Sequence, residues 1–320
     1  TIGIRQVLSP VVNVARDVRW GRTEETYGED PYLISRMGVA FCSAFEEKDI
    51  VTSPKHFIAN FGDGGRESFP PHLSERILRE IYFPGFKACI TEAGSRSLMP
   101  AYNSFDGTPC HSSHWLLKDI LRDEWGFKGY VVSDYAGLNR IYVSHKTAKN
   151  PAECAAQAIK SGMNRELPKV SVYGQPLIDA VNSGLLSETE LDEAVADVLR
   201  IKFEIGLFDS PYCDIAPALS IPNNDEHRQL ALETARQSII LLKNKENTLP
   251  LSGEFNKILV TGPVADEAKT GGYSGWGIKK VSILEGIKNQ VGENVEVIHE
   301  KLGTIDHIPL PQIEPRFFVG

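Results

Sequence analysis

Cysteine is scarce here and arranged to no obvious end. Cys42, Cys89, Cys110, Cys154 and Cys213 are odd in number, scattered, and without a Cys-x-x-Cys pair. That pattern gives no support to a disulfide framework or a thiolate zinc site. Cys42 and Cys89 fall on apolar helical faces, the ordinary place of a core thiol. Positive charge is also short: 34 Lys and Arg stand against 42 Asp and Glu, a formal net charge of −8. Such a balance excludes a protein that tracks nucleic-acid phosphates. No apolar run approaches the roughly 18 residues that span a bilayer, and Ser238–Leu242 has only the length of a strand. A signal-peptide pattern is missing at the start. Thr1 is not an initiator Met, so the compartment is left open. Gly62-Asp63-Gly64-Gly65 lacks the strand-to-helix context of a dinucleotide fingerprint, which disfavours a dehydrogenase. Neither an internal repeat nor a low-complexity tract is visible.

What the sequence does contain is alternation. Val7–Val14 is an apolar run. Asp30-Pro31 then supplies an N-cap and an N1 proline for a helix to about Glu46, with Leu33, Ile34, Met37, Phe41 and Ala44 along one face. Ile50–Phe57, Ser97–Asn103, Tyr130–Ser133 and Gly162–Leu167 read as strands. Between and after them, helices are expected over Ser74–Ile90 and Ser113–Trp125, from Asn150-Pro151, and from the Ser187/Glu190 capping box to about Ile205. This βαβα order implies a parallel sheet, doubly wound or closed into a barrel. About five strands precede Gly206, whereas an eight-stranded barrel takes about 250 residues. The expectation is therefore a smaller open sheet or a barrel lacking its first strands, and the missing Met favours the second. Residues 209–224, rich in Pro and Asn, are expected to link residues 1–208 to a second unit over 225–320. That unit is expected to hold a helix near Asp225–Arg236, strands at Ile239–Leu242, Ile258–Thr261 and Val295–His299, and a helix over Ser282–Gln290.

The strand ends of the first unit carry Arg22, Lys55, His56, Tyr102 and Asp134, each just after an apolar run. An acid at the C-terminal lip of a parallel strand faces the cleft where α/β enzymes bind ligands. Sugar hydroxyls need both donors and acceptors, and this mixture offers both. Each residue has a plainer alternative. Arg22 can pair with Glu24 or Glu25 on the surface, His56 and Tyr102 can be satisfied core residues, and Asp134 can cap a helix.

Many separate motifs together resemble glycoside hydrolase family 3. They include Ser9-Pro10-Val11-Val12-Asn13-Val14, Asp17 with Arg19-Trp20-Gly21-Arg22, Tyr27-Gly28-Glu29-Asp30-Pro31 and Lys55-His56-Phe57. Further along come Met99-Pro100-Ala101-Tyr102-Asn103, Trp125-Gly126-Phe127-Lys128-Gly129 and Val132-Ser133-Asp134-Tyr135. Beyond the linker, Leu241-Leu242-Lys243-Asn244 and Gly271-Gly272-Tyr273-Ser274-Gly275 resemble the family's second domain. The resemblance implies a (β/α) barrel followed by an α/β sandwich, with sugar bound at their junction. It implies that Asp134 is the nucleophile of a retaining β-glycosidase. Arg22, Lys55, His56, Arg66, Met99 and Tyr102 match positions lining the pocket of the non-reducing-end sugar. Met99 has core packing as its alternative.

The same resemblance places the acid/base, a Glu of the second domain, beyond Gly320, and a sugar-binding Asp of earlier strands before Thr1. Glu300 and Glu314 sit in no matching motif. Asn164 stands where the family commonly has Asp, and nearby Glu166 reads equally as a strand-end polar group or a structural ion pair. The loop Ile58–Ser68 lacks the Asp-His pair of the N-acetylglucosaminidase branch, so that branch is disfavoured. The expected activity is exo-hydrolysis of terminal β-D-glucosyl or xylosyl residues from small oligosaccharides or aryl and alkyl glycosides. A non-catalytic sugar-binding protein on the same scaffold is the rival. Neither metal nor organic cofactor is required, since two carboxyl groups and water complete the chemistry.

Overall fold

The computed structural model describes residues 2–61, 70–221, 224–251, 255–270 and 280–302. They form a mixed α/β chain of two compact units, Thr1–Leu219 and Ser220–Gly320.

In the first unit, Lys55–Phe57, Ser97–Pro100, Tyr130–Tyr135 and Arg165–Leu167 form a parallel sheet in chain order. Gln6–Val7 pairs with Val51–Thr52, and a bridge from Val11 to Lys55 carries that pairing toward the sheet. The apolar run Val7–Val14 thus makes less ladder than expected.

Side chains alternate across this sheet. Val131 joins Ile34, Phe57, Leu78, Phe86, Leu98, Leu117 and Leu138 in the core on one face. Tyr130 and Val132 join Val51, Met99, Ile201 and Ile205 on the other. Asp134 keeps the parity of Tyr130 and Val132, so it emerges on the Met99 side at the strand's C-terminal end.

Close backbone approach sets one glycine. A Cβ at Gly129 would lie 2.1 Å from the Arg96 carbonyl oxygen, so no larger residue can open the strand Tyr130–Tyr135.

The helix Pro31–Glu46 starts as expected, with the Asp30 side chain accepting from Tyr32 N. Glu188–Glu204 has the full capping box of Ser187 and Glu190. The helix expected over Ser74–Ile90 is instead broken: Glu75–Ile77, then wide turns over Leu78–Tyr82, then Pro84–Thr91. Pro84 is the reason, because it lacks the N–H that an unbroken helix would use. The Phe83 N–H reaches back five residues to the Leu78 carbonyl at 2.7 Å. Trp115–Glu124 has wide turns of the same kind. The sequence reading did not foresee the helices Gly137–Val143 and Gln175–Asn182. Ile215–Ser220 forms a short helix inside the expected linker.

In the second unit, Lys257–Thr261 pairs in parallel with Glu296–Glu300, and the helices are Asp225–Ser238 and Ile283–Val291. The strand expected at Ile239–Leu242 does not form. Those four residues are extended, unladdered and 60–92% exposed. An apolar run becomes a strand only where neighbouring backbone completes its hydrogen bonds, and none does so among the described residues. The motif Gly271–Gly275 lies outside the described residues.

Candidate active site

Asn13, at the end of the first apolar run, fixes His56. Its Oδ1 accepts from the His56 backbone N–H at 2.7 Å and from the His56 ring Nδ1 at 3.1 Å, while its Nδ2 donates to the His56 carbonyl at 2.9 Å. An amide oxygen only accepts, so the ring proton sits on Nδ1. Nε2 is then an acceptor, and Arg22 Nη1 lies 3.0 Å from it. Arg22 also forks onto Glu25, with both contacts at 2.5 Å. The surface alternative for Arg22 thus holds in part, since it pairs with Glu25, but only 7% of Arg22 is exposed. The Nε2 edge of the His56 ring lies 3.6 Å from Asp134 Oδ2.

The Asp134 side chain is 13% exposed. Its Oδ1 accepts from the Tyr102 hydroxyl at 2.9 Å and from the Tyr135 backbone N–H at 2.7 Å. Its Oδ2 is buried and has no hydrogen-bond partner among the described residues. One oxygen is anchored and the other is unspent. Leaving a buried acceptor unpaired costs about 1–3 kcal/mol, a cost that function rather than stability explains. Tyr102 carries the Arg140 guanidinium 4.3 Å from its ring centroid, and its hydroxyl also lies 2.8 Å from the Tyr135 carbonyl. The backbone N–H of Asp134 donates to His111 Nε2 at 3.1 Å.

Lys55 stands beside Met99 in the sheet register. Burial, and next the Arg22 charge, lower its ammonium from the usual lysine value, while Asp134 and Glu25 oppose that shift. Among the described residues the Lys55 ammonium has no hydrogen-bond or ion-pair partner. Its donors are available to a ligand.

The structure therefore brings Arg22, Lys55, His56, Tyr102 and Asp134 into one group. Met99, 1% exposed, packs in the core with Val51, Tyr130 and Val132. Arg66 lies outside the described residues. Glu166 is elsewhere occupied, its carboxylate accepting the backbone N–H groups of Ser171, Val172 and Tyr173 at 2.8–3.0 Å. It clamps a turn rather than forming an ion pair. Asn164 is likewise structural, taking the Val131 N–H at 2.8 Å and donating to the Ala194 carbonyl at 2.9 Å.

Sequence reasoning missed Asn13, His111 and Arg140, and named Glu25 only as a surface partner for Arg22. Asn13 stood in a quoted motif without a role, and only its place at a strand end marked it. Among the described residues no group of three or more His, Cys, Asp or Glu is arranged to hold a metal, and no helix is long and apolar enough to cross a membrane.

Comparison with known proteins adds ancestry to this geometry. Residues 1–201 match the glycosyl hydrolase family 3 N-terminal domain, and residues 239–308 its C-terminal domain. A β-xylosidase of Formosa agariphila is 40% identical over 95% of this chain and 46% of its own length. A periplasmic β-glucosidase of Salmonella typhimurium is 40% identical over 93% of this chain and 41% of its own. A β-glucosidase from Listeria innocua, solved in complex with glucose, superposes with a TM-score of 0.83 at 31% identity, over 95% of this chain and 43% of its own. The chain thus spans less than half the length of these relatives. With one family domain matched over residues 1–201 and the other after it, the chain belongs to glycosyl hydrolase family 3.

Proposed function

We propose that this chain carries the nucleophile and the sugar pocket of a retaining, exo-acting β-glycosidase that removes terminal β-D-glucosyl or xylosyl residues. The observation that carries the reading is the divided Asp134 carboxylate. Tyr102 and the Tyr135 N–H hold Oδ1, and Oδ2 is left unbonded beside His56 and near Lys55. An anchored carboxylate with one free oxygen suits attack on an anomeric carbon. The C–O bond to the leaving group breaks as the Oδ2–C1 bond forms, giving a glycosyl-enzyme that water then hydrolyses. Lys55 donates to a sugar hydroxyl, and Arg22 holds His56 in place. Arg66 completes the pocket, and Met99 packs beneath Lys55. A second carboxyl, about 5–5.5 Å from the first, protonates the leaving oxygen and later activates water. No residue of this chain is assigned that role. Substrates are small oligosaccharides and aryl or alkyl β-glycosides, the names of the relatives spanning glucose and xylose.

Within this reading the parallel strands belong to a (β/α) barrel over residues 1–208. Residues 209–224 act as linker, and 225–320 open an α/β sandwich.

A leaving group that departs without protonation tests the nucleophile alone. The chain is expected to release 2,4-dinitrophenolate from the dinitrophenyl β-glucoside or β-xyloside, and Asp134→Asn to abolish that release while keeping the fold. Near-wild-type hydrolysis by Asp134→Asn removes Asp134 from the chemistry. Binding of glucose without any hydrolysis by the wild-type chain favours the sugar-binding alternative.

A further inference from the structure

His111 lies in a short turn, Cys110–Ser112, on no strand and outside the pocket motifs. It is 2% exposed and touches the site from behind. Its Nε2 accepts the Asp134 backbone N–H at 3.1 Å. Its ring lies close to the Ala101 backbone and stacks on the Tyr102 ring at a centroid distance of 6.3 Å. A third side is closed by Gly137, where a Cβ would stand 2.3 Å from His111 Nε2. Two adjacent strand ends and the helix that follows the nucleophile therefore bear on one imidazole.

We propose that His111 is a positioning residue, a neutral imidazole bracket that sets Asp134 and its Tyr102 partner in register for attack. The inference rests on the reading that Asp134 is the nucleophile.

The chemistry requires an acceptor at this point. Burial, and next the nearby His145 and Arg140, push the His111 imidazolium down to about 3, so the ring is neutral at ordinary pH. With Nε2 accepting, the other nitrogen carries the hydrogen that faces Ala101. An imidazolium would turn an N–H toward the Asp134 N–H and break the bracket. A glycine at position 137 lets the helix Gly137–Val143 begin against the ring, so the ring cannot retreat from Asp134. The ring's edge takes the Asp134 backbone and its face takes Tyr102, the group that anchors Oδ1. One residue therefore governs both the main-chain and the side-chain placement of the carboxylate. Displacement of a reacting group by about 1 Å can cost on the order of 10²-fold in rate. Ground-state sugar binding, to which Lys55 donates, does not depend on that placement.

The test uses the whole chain and a 2-deoxy-2-fluoroglucosyl fluoride, with glucose affinity measured alongside. His111→Leu should slow covalent labelling on the order of 10²-fold while glucose affinity stays within a few-fold of wild type. His111→Gln, whose amide oxygen can accept the same N–H, should recover most of the rate. Gly137→Ala, which leaves His111 in place but forces its ring aside, should slow labelling with little change in glucose affinity. The inference is overturned if His111→Leu labels at the wild-type rate. It is equally overturned if labelling and glucose affinity fall together and His111→Gln restores neither, which marks a purely structural role. Should His111→Leu not fold, His111→Gln and Gly137→Ala decide alone: the first must label near the wild-type rate and the second slowly. No adduct on the wild-type chain instead defeats the reading of Asp134, and the inference falls with it.

Discussion

Removing the Tyr102 hydroxyl should slow the release of sugar from the glycosyl-enzyme more than its formation. A phenol has one hydrogen, and among the described residues two acceptors compete for it, Asp134 Oδ1 at 2.9 Å and the Tyr135 carbonyl at 2.8 Å. While Asp134 is a carboxylate, its charge makes it the better acceptor, in a bond worth about 1.5–3 kcal/mol. Once Oδ2 is esterified to sugar the charge is gone. The phenol then turns to the Tyr135 carbonyl, in a neutral bond worth about 0.5–1.5 kcal/mol. Tyr102 therefore favours the free carboxylate over the ester by the difference, roughly 1–1.5 kcal/mol, or about five- to twelvefold. Deleting it should shift the balance toward the glycosyl-enzyme by that factor. Oδ1 remains tethered by the Tyr135 N–H at 2.7 Å, so attack itself suffers less. The assay is reactivation of the 2-fluoroglycosyl-enzyme after excess reagent is removed, with wild type and Tyr102→Phe side by side. Reactivation about five- to twelvefold slower, with labelling changed by less, is the expected result. Unchanged reactivation with slowed labelling refutes the reasoning, because Tyr102 would then serve attack rather than departure.

Two further perturbations follow from the same contacts. Asn13→Leu strips three buried hydrogen bonds from His56. The expected loss is roughly 3–5 kcal/mol, read as a lower urea midpoint, and a loss under about 1 kcal/mol contradicts the bracket described for His56. Lys55 has a folded-state pKa below its ordinary 10.5, so its buried charge opposes folding at neutral pH and that penalty vanishes as pH rises past the unfolded value. Lys55→Met should accordingly raise the melting temperature near neutrality, with the gain fading as pH rises toward about 10.5 and gone above it, while glucose binding weakens. A pH-independent gain would locate its origin in packing instead.

Much of this arrangement was legible because strand ends are local. The strand over Tyr130–Ser133 announced itself by an apolar run after Gly129, and Asp134 by following it. Lys55 and Tyr102 were marked the same way. His111 was not, because its partners lie at Ala101, Asp134 and Gly137, and nothing in Pro109-Cys110-His111 has a period that points to them. Asn13 hid for a related reason: a terminal Asn on an apolar run looks like a turn residue until His56 arrives opposite it. Arg22 posed a choice between surface pairing and the pocket, and in the fold it is buried with Glu25 on one edge of the guanidinium and His56 on the other. Met99 shows the reverse, a motif residue whose visible role is to fill the sheet face with Val51 and Val132. The break before Pro84 was visible in the letter itself, yet the helical spacing on both sides concealed it. Ile239–Leu242 failed as a strand because apolar content specifies burial but supplies no pairing partner.

The most direct measurement is peptide mapping of the chain after reaction with a 2-deoxy-2-fluoroglycosyl fluoride. The mass of one fluorosugar should appear on the peptide bearing Tyr130–Tyr135, fragment to Asp134, and be absent from Asp134→Asn. An adduct on any other carboxylate, or a wild-type chain that binds the sugar and is never labelled, contradicts the assignment of Asp134 as the attacking group.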